Sequence, residues 1–366
     1  MMAFPKLRFK NAEGAEFTSW VTSFIGDECK ITTGNKDTQN KIDGGKYPFF
    51  VRSQTVERIN TYSKDCEAVL TSGDGVGVGK NYHYINGKFD FHQRVYCLYD
   101  FSNQLLGKYL YIYFSNYFFD RVKRLSAKNS VDSVRMDMIS KMEIKLPSLV
   151  EQTKIASFLS NVDEKISQLT QKHELLSQYK QGMMQKLFSQ QIRFKADDGS
   201  EFGEWVEWKF ASCIDIFDNL RKPVSASERK VGFTPYYGAN GIQSYIDGYT
   251  HEGEFILIAE DGANDLINYP VQYVNGKIWV NNHAHVVSGK QHIVDNKFLK
   301  YRLGSIDFTK YLVGGGRAKL NAGAMKEIAF LLPCLEEQTK IANFLSEIDQ
   351  KIEVVAQQIE QAKTWK

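Results

Sequence analysis

At 366 residues, with 43% hydrophobic and 24% charged side chains and a formal net charge of +3, the chain is long enough to bury two separate cores. That charge permits nucleic-acid binding but does not require it, since many unrelated proteins are as basic. Five scattered cysteines (Cys29, Cys66, Cys97, Cys213, Cys334) form no CxxC pair, which argues against a zinc site or a disulfide framework and points to the reducing cytosol.

The first residues, MMAFPKLRFKNAEGAEF, carry a charge every few positions and lack the apolar core of a signal peptide. The most apolar run, 109–119, is too short and too aromatic to span a bilayer, so no membrane role is expected. The next signal is an internal repeat. Residues 8–21, RFKNAEGAEFTSWV, match 193–206, RFKADDGSEFGEWV, in Arg, Phe, Lys, Gly, Glu, Phe, Trp and Val. A second, denser match follows: 147–166, PSLVEQTKIASFLSNVDEKI, returns 186 residues on as 333–352, PCLEEQTKIANFLSEIDQKI, with 14 of 20 positions identical. Two copies of one unit therefore make up the chain, each running from an RFK leader through a variable globe to an EQTKIA helix.

The globes match in pattern more than in residues. YPFF at 47–50 stands where TPYY stands at 234–237, and EAVLTSGDG at 67–75 stands opposite EFILIAEDG at 254–262. Each of the latter two is a short apolar strand running into a glycine-containing turn. Asn86-Gly87-Lys88 and Asn275-Gly276-Lys277 predict hairpin turns, because Asn-Gly supplies the positive φ angles of a type I′ turn. Helical stretches near 105–124 and 297–312 close the two globes.

Several motifs suggest chemistry. The glycine-rich run 73–81 fails as a phosphate loop, because the first glycine of GxxxxGK[ST] falls on Asp74 and the last position is Asn81. It reads as a strand-to-strand turn, with or without a phosphate contact. His283 and His285 share a face if they lie on a strand, but no third ligand stands nearby and no metal site is expected. Clusters at 121–124, Arg221-Lys222 and 317–319 are each compatible with phosphate binding or with a solvated surface.

In the first helical stretch, Ile155, Leu159, Val162, Ile166, Leu169, His173, Leu176, Lys180, Met183 and Leu187 alternate steps of four and three, a coiled-coil seam with two polar interruptions. Ile341, Leu345, Ile348, Ile352, Val355, Ile359 and Ala362 keep that spacing in the second. Two such seams in one chain predict an intramolecular coiled coil of roughly 50–60 Å, at about 1.5 Å per residue. The second stretch ends at Lys366, aligned with Lys180, so the distal end of the pair is expected to be uneven.

No constellation assembles a nucleophile, a base and a stabilising group. Asn-Pro-Pro-Tyr, Asp-Pro-Pro-Tyr, GxSxG, HExxH and a Pro-Asp followed by Glu-x-Lys are all absent from the sequence, and no catalytic residue is assigned.

The doubled LPSLVEQTKIASFLSNVDEKI and LLPCLEEQTKIANFLSEIDQKI, each following a globe opened by an RFK leader, resemble the helical regions of specificity subunits of type I restriction-modification systems. TPYYGANG and NNHAHVV in the second globe resemble that family's target-recognition domains. The resemblance covers essentially the whole chain and implies an α+β fold: two mixed α/β target-recognition globes, separated by two long helices paired as an antiparallel coiled coil, with a pseudo-two-fold internal repeat. It implies domains at 1–146 and 193–332, and spacer helices at 147–192 and 333–366.

By the same resemblance, each globe reads one half of a split, asymmetric double-stranded DNA target, and the helices fix the gap between halves. The chain itself is expected to be non-catalytic, to bind no cofactor and to be cytoplasmic. Two modification subunits, using S-adenosylmethionine to methylate adenine, dock on the helices. Two restriction subunits add translocation and cleavage with ATP and magnesium. Because arginine favours guanine, asparagine favours adenine and lysine mostly positions backbone, the DNA-contact candidates are Arg52, Lys80, Asn81, Arg94 and Lys128 in the first globe. In the second they are Asn240, Asn264, His283, Arg317 and Lys319. The rival readings are a coiled-coil assembly scaffold without DNA specificity, and a DNA-processing enzyme whose motif is unfamiliar.

Overall fold

The structure is a computed structural model that describes residues 8–75, 77–125, 133–314 and 318–365. The chain divides into two compact units, Met1–Ile166 and Ser167–Trp365. Among the described residues, no helix is long and apolar enough to cross a membrane.

The first unit runs β1 (Val21–Phe24), α1 (Ile25–Glu28), β2 (Lys30–Thr33), β3 (Tyr47–Phe50), β4 (Glu57–Ile59), β5 (Lys64–Ser72), β6 (Tyr82–Phe91), β7 (Val95–Tyr99), α2 (Gly107–Leu125), α3 (Met136–Ser140), β8 (Glu143–Leu146) and the start of α4 (Leu149–Phe188). Six strands form one sheet in the order β2-β7-β5-β6-β3-β4, antiparallel except for the β3–β6 pair, while β1 and β8 form a separate ribbon. Successive residues of β5 face opposite sides of the sheet. Val69 joins a core with Leu110, Phe114, Phe118 and Val122 of α2, and Ala68 and Leu70 join a second core with Phe89, Phe91 and Cys97. Burial on both faces explains why β5 reads as a continuous apolar run without alternation.

The second unit repeats this element for element: β9 (Val206–Lys209), α5 (Phe210–Cys213), β10 (Ile214–Ile216), β11 (Thr234–Gly238), β12 (Gly241–Ile246), β13 (His251–Ala259), β14 (Val271–Val280), β15 (Ala284–Gly289), α6 (Asn296–Leu303), α7 (Ala322–Lys326), β16 (Ala329–Leu332) and α8 (Leu335–Trp365). Its sheet order, β10-β15-β13-β14-β11-β12 with a β16–β9 ribbon, is the same order strand by strand.

Two sequence expectations are corrected. Asn86-Gly87 and Asn275-Gly276 are not hairpin turns but lie inside β6 and β14, where Gly87 pairs with Cys66 and Gly276 with Gly253. Only the glycines have positive φ, +140° at Gly87 and +101° at Gly276, so the type I′ requirement at both positions is not met. The glycines serve a bend instead. Ile278 lies opposite His251, yet Ala284 lies opposite Ala259 at the far end of β13. The six-residue step from 278 to 284 reaches about 20 Å, whereas a flat β13 would hold those points about 26 Å apart. The ribbon therefore folds over on itself, with Gly253 (φ +139°) facing Gly276. The second correction concerns 297–312. Here α6, capped by the Asp295 carboxylate accepting from the Phe298 N–H, ends at Leu303, and only a 3-10 turn follows at Phe308–Tyr311.

The repeated sequence blocks are explained by a latch found in both units. Glu151, fully buried, accepts from Arg8 Nε (3.0 Å), Arg8 Nη2 (2.7 Å) and Trp20 Nε1 (3.0 Å). Glu337, also fully buried, accepts from Arg193 Nε (3.1 Å), Arg193 Nη2 (2.7 Å) and Trp205 Nε1 (3.1 Å). Phe9 meets Phe158 edge-on at 5.8 Å, as Phe194 meets Phe344 at 5.7 Å. The neighbouring Gln152 and Gln338 side chains donate to the carbonyls of Pro147 and Pro333, each at 2.9 Å. Each leader is thus pinned to the first turns of the helix that closes its own copy.

Within the second unit α4 and α8 run antiparallel where they meet. Lys180 pairs with Asp349 at 2.5 Å, and Leu187, further along α4, shares a core with Ile341 and Leu345, earlier on α8. Lys180, a polar interruption of the first seam, is therefore accounted for. That core also holds Phe298, Leu299 and Ile348, so the first turns of the α8 seam are enclosed partly by the globe.

Candidate nucleic-acid interface

In each unit the loop after the long central strand gathers the candidate side chains. In the first, Gly73-Asp74-Gly75 follows β5, and Gly75 has φ +83°. The Asp74 carboxylate receives Arg52 Nη1 at 3.1 Å and lies 3.7 Å from Arg94 Nε. Asn81 closes the same corner, its Nδ2 donating to the Arg52 carbonyl at 3.1 Å. Lys80 is exposed, its Nζ 5.5 Å from the Phe119 ring centre. The structure therefore groups Arg52 and Arg94 around one carboxylate, with Asn81 bound to the Arg52 backbone and the arginine side chains 45% and 66% exposed. His92, buried beside them, has its pKa lowered first by burial and next by Arg52.

In the second unit Glu260-Asp261-Gly262 follows β13. Asp261 holds His283 Nδ1 at 2.5 Å, and Glu260 holds Lys319 Nζ at 2.8 Å and Arg221 Nη1 at 2.7 Å. Burial alone would raise the Glu260 pKa, but hydrogen bonds from Lys319 and Arg221 outweigh it and hold the group low. Asn240 bridges two loops, donating to the Gly262 carbonyl (2.9 Å) and accepting from the Asn264 N–H (2.9 Å). Asn240, Asn264, His283 and Lys319 thus converge on one loop. Lys128 and Arg317 lie outside the described residues.

Other sequence candidates serve the fold. Arg221 is only 15% exposed and is engaged by Glu260 and the carbonyls of Asp218 and Ala284. Arg121 donates to the Met138 and Lys141 carbonyls. The two histidines part company. His285, at 1% exposure, faces Asp218 through Nδ1 (2.6 Å) and the Leu320 carbonyl through Nε2 (2.8 Å). His283 is exposed enough to reach solvent. Among the described residues no group of three or more His, Cys, Asp or Glu is placed to hold a metal.

Sequence reasoning marked the turns at 73–75 and 260–262 but missed their carboxylates as organisers. Carboxylates are unexpected at a surface that faces phosphates, yet here they hold cationic side chains in a fixed pose.

A duplicated scaffold that sets unlike side chains on equivalent loops is the architecture of a paired recognition module. The chain belongs to the family of the type I restriction modification DNA specificity domain, which matches residues 18–178 and 205–364. A Haemophilus influenzae relative is 49% identical over 144 residues, 39% of this chain and 37% of that one, so this chain spans little more than a third of that relative's length. The type I restriction enzyme MjaVIII specificity subunit of Methanocaldococcus jannaschii is 26% identical over 410 aligned positions, covering 99% of this chain and 95% of the relative. The crystal structure of a type I restriction-modification S subunit from M. genitalium shares the fold, with a TM-score of 0.73 at 18% identity, covering 99% of this chain and 96% of that one.

Proposed function

We propose that this chain is a non-catalytic DNA-reading subunit that recognises a two-part asymmetric target, one half per globe. The observation that carries this reading is the identical strand order of the two globes, combined with different side chains on the equivalent loops: Arg52, Asn81 and Arg94 on one, Asn240, His283 and Lys319 on the other. Equal scaffolds give equal approach to a duplex, while unequal loops give two unlike half-sites. The paired helices set the unread gap, and half-site centres on the order of one helical turn apart suit this geometry. Two adenine-methylating modification subunits using S-adenosylmethionine, and two restriction subunits using ATP and magnesium, complete the assembly. The chain holds none of these groups itself and works in the cytoplasm.

Co-expression with a modification subunit, followed by genome-wide mapping of methylated adenines, tests the reading. A two-part motif with a fixed gap is the expected result. A contiguous motif would overturn the two-part reading, and no motif at all would leave the scaffold without DNA specificity as the better account.

A further inference from the structure

The two globes can be superposed residue by residue through their strand registers, and the superposition pairs two side chains that the sequence does not. The parallel pairs Phe50 with Phe91 and Tyr237 with Val280 align His92 with Asn281 and Arg94 with His283. Four interactions repeat at these positions. The Arg94 N–H donates to His92 Nδ1 (2.9 Å), as the His283 N–H donates to Asn281 Oδ1 (2.8 Å). The Gly73 N–H donates to the Arg94 carbonyl (2.7 Å), as the Glu260 N–H does to the His283 carbonyl (2.9 Å). Asp74 bridges to Ser133, and Asp261 to Lys319, on the segment that closes each loop. Last, the side chains of Arg94 and His283 lie on the equivalent carboxylates, Asp74 and Asp261.

We propose that Arg94 and His283 are the corresponding specificity-determining residues of the two globes, each reading the base pair at the same position of its own half-site, with Asp74 and Asp261 as positioning residues. This rests on the DNA-reading function proposed above. A backbone fixed by the same hydrogen bonds delivers both side chains along the same path, so a difference in side chain becomes a difference in base. Arg94 carries a planar donor fork suited to guanine O6 and N7. At His283 the Asp261 carboxylate can only accept, so Nδ1 is the donor, and in the neutral form of the ring Nε2 is an acceptor. Nε2 suits the exocyclic amino group of adenine or cytosine. Both side chains are well exposed, 66% and 40%, so replacing them leaves the core intact.

The test is selection from a pool of random-sequence 40-base-pair duplexes by the full-length chain, then sequencing of the enriched DNA. The wild-type chain should enrich a two-part motif. Arg94→Ala should make one guanine position of one half degenerate, a preference of about ten- to a hundredfold falling to near onefold, with the other half unchanged. His283→Ala should do the same at one position of the other half. Arg94→His should change the preferred base at the affected position without abolishing the preference, which a purely structural residue would not do. A wild-type motif left unaltered by Arg94→Ala and His283→Ala overturns this inference alone, as does a uniform loss across both halves, the mark of a phosphate contact. No two-part motif from the wild-type chain overturns the proposed function and takes this inference with it.

Discussion

Replacing Glu337 by alanine tests whether the latch holds the second unit together. The carboxylate is fully buried and accepts three hydrogen bonds, two from Arg193 and one from Trp205. A hydrogen bond to a charged group contributes about 1.5–3 kcal/mol, and stranding one partner of a buried ion pair costs about 3–5 kcal/mol. Arg193 keeps 22% of its side chain in solvent and can turn partly to water, which lowers the expected cost to about 3 kcal/mol. With a urea slope of about 2 kcal/mol per molar for a unit of this size, the midpoint should fall by about 1.5 M. Tryptophan fluorescence follows the transition. The cleaner measurement is the cycle of Arg193→Ala, Glu337→Ala and the double variant, with an expected coupling of about 2 kcal/mol. Glu151→Ala should lower the transition of the first unit in the same way. A coupling indistinguishable from zero, or a midpoint unchanged by Glu337→Ala, would show that the leader is merely adjacent to the helix.

Three further outcomes follow from the geometry. Gly276→Ala should destabilise by about 1–3 kcal/mol in urea although open space surrounds the new methyl group, because the cost is conformational at φ +101°; a neutral result would remove the bend from the account. Gly182→Ala, inside α4 and equally unobstructed, should stabilise by about 0.5–1 kcal/mol, read as a rise in the same midpoint. The second unit should also be acid-labile. Burial alone would raise the Asp349 pKa, but Lys180, Lys300 and Tyr301 hold it below the usual 3.8. A carboxyl depressed in the fold stabilises fully above its unfolded pKa, and that contribution is lost as pH falls through the folded value, so the loss belongs below about pH 4. Asp349→Asn should lower the midpoint at pH 7 and flatten its decline between about pH 4 and pH 2, whereas an equal decline in both proteins would show that Asp349 contributes nothing.

How much of this was legible in the sequence depended on whether a residue's role was local or set by its partners. The two-copy organisation, β3 against β11, β5 against β13, α2, and both long helices could be read directly, because apolar period and repeated residues mark them. The Asn-Gly sites misled because a strand can use the glycine alone, and only the pairing of Gly276 with Gly253 tells a bend from a reversal. The candidate loop was found as a turn, yet its organising carboxylates were not, since Asp74 lies 22 positions from Arg52 and 20 from Arg94 in a chain that shows no local link among them. The match of Arg94 with His283 was out of reach of residue comparison altogether, because the equivalence is one of backbone register.

The same logic changes what the repeated EQTKIA block signifies. Identical residues on two helices first suggest identical docking faces for two identical partners. Most of the identities, however, are used inside the units. Glu151 and Glu337 hold the leaders; Gln152 and Gln338 hold the preceding proline carbonyls. Lys154 donates to the Lys10 carbonyl, and Lys340 pairs with Asp197. Phe158 and Phe344 meet the leader phenylalanines edge-on, and Thr153 and Thr339 donate to their own helix backbone. Ala156, Ala342, Ile341 and Leu345 are buried. Lys165 and Lys351 remain as an identical, exposed pair for which the latch supplies no reason. The repeat therefore supports a shared fold far more strongly than a shared partner surface. If modification subunits dock on the helices, Lys165→Glu together with Lys351→Glu should weaken their co-purification and leave the urea midpoints within about 0.5 kcal/mol of the parent, the usual range for a surface change. Undiminished co-purification would move the docking face elsewhere.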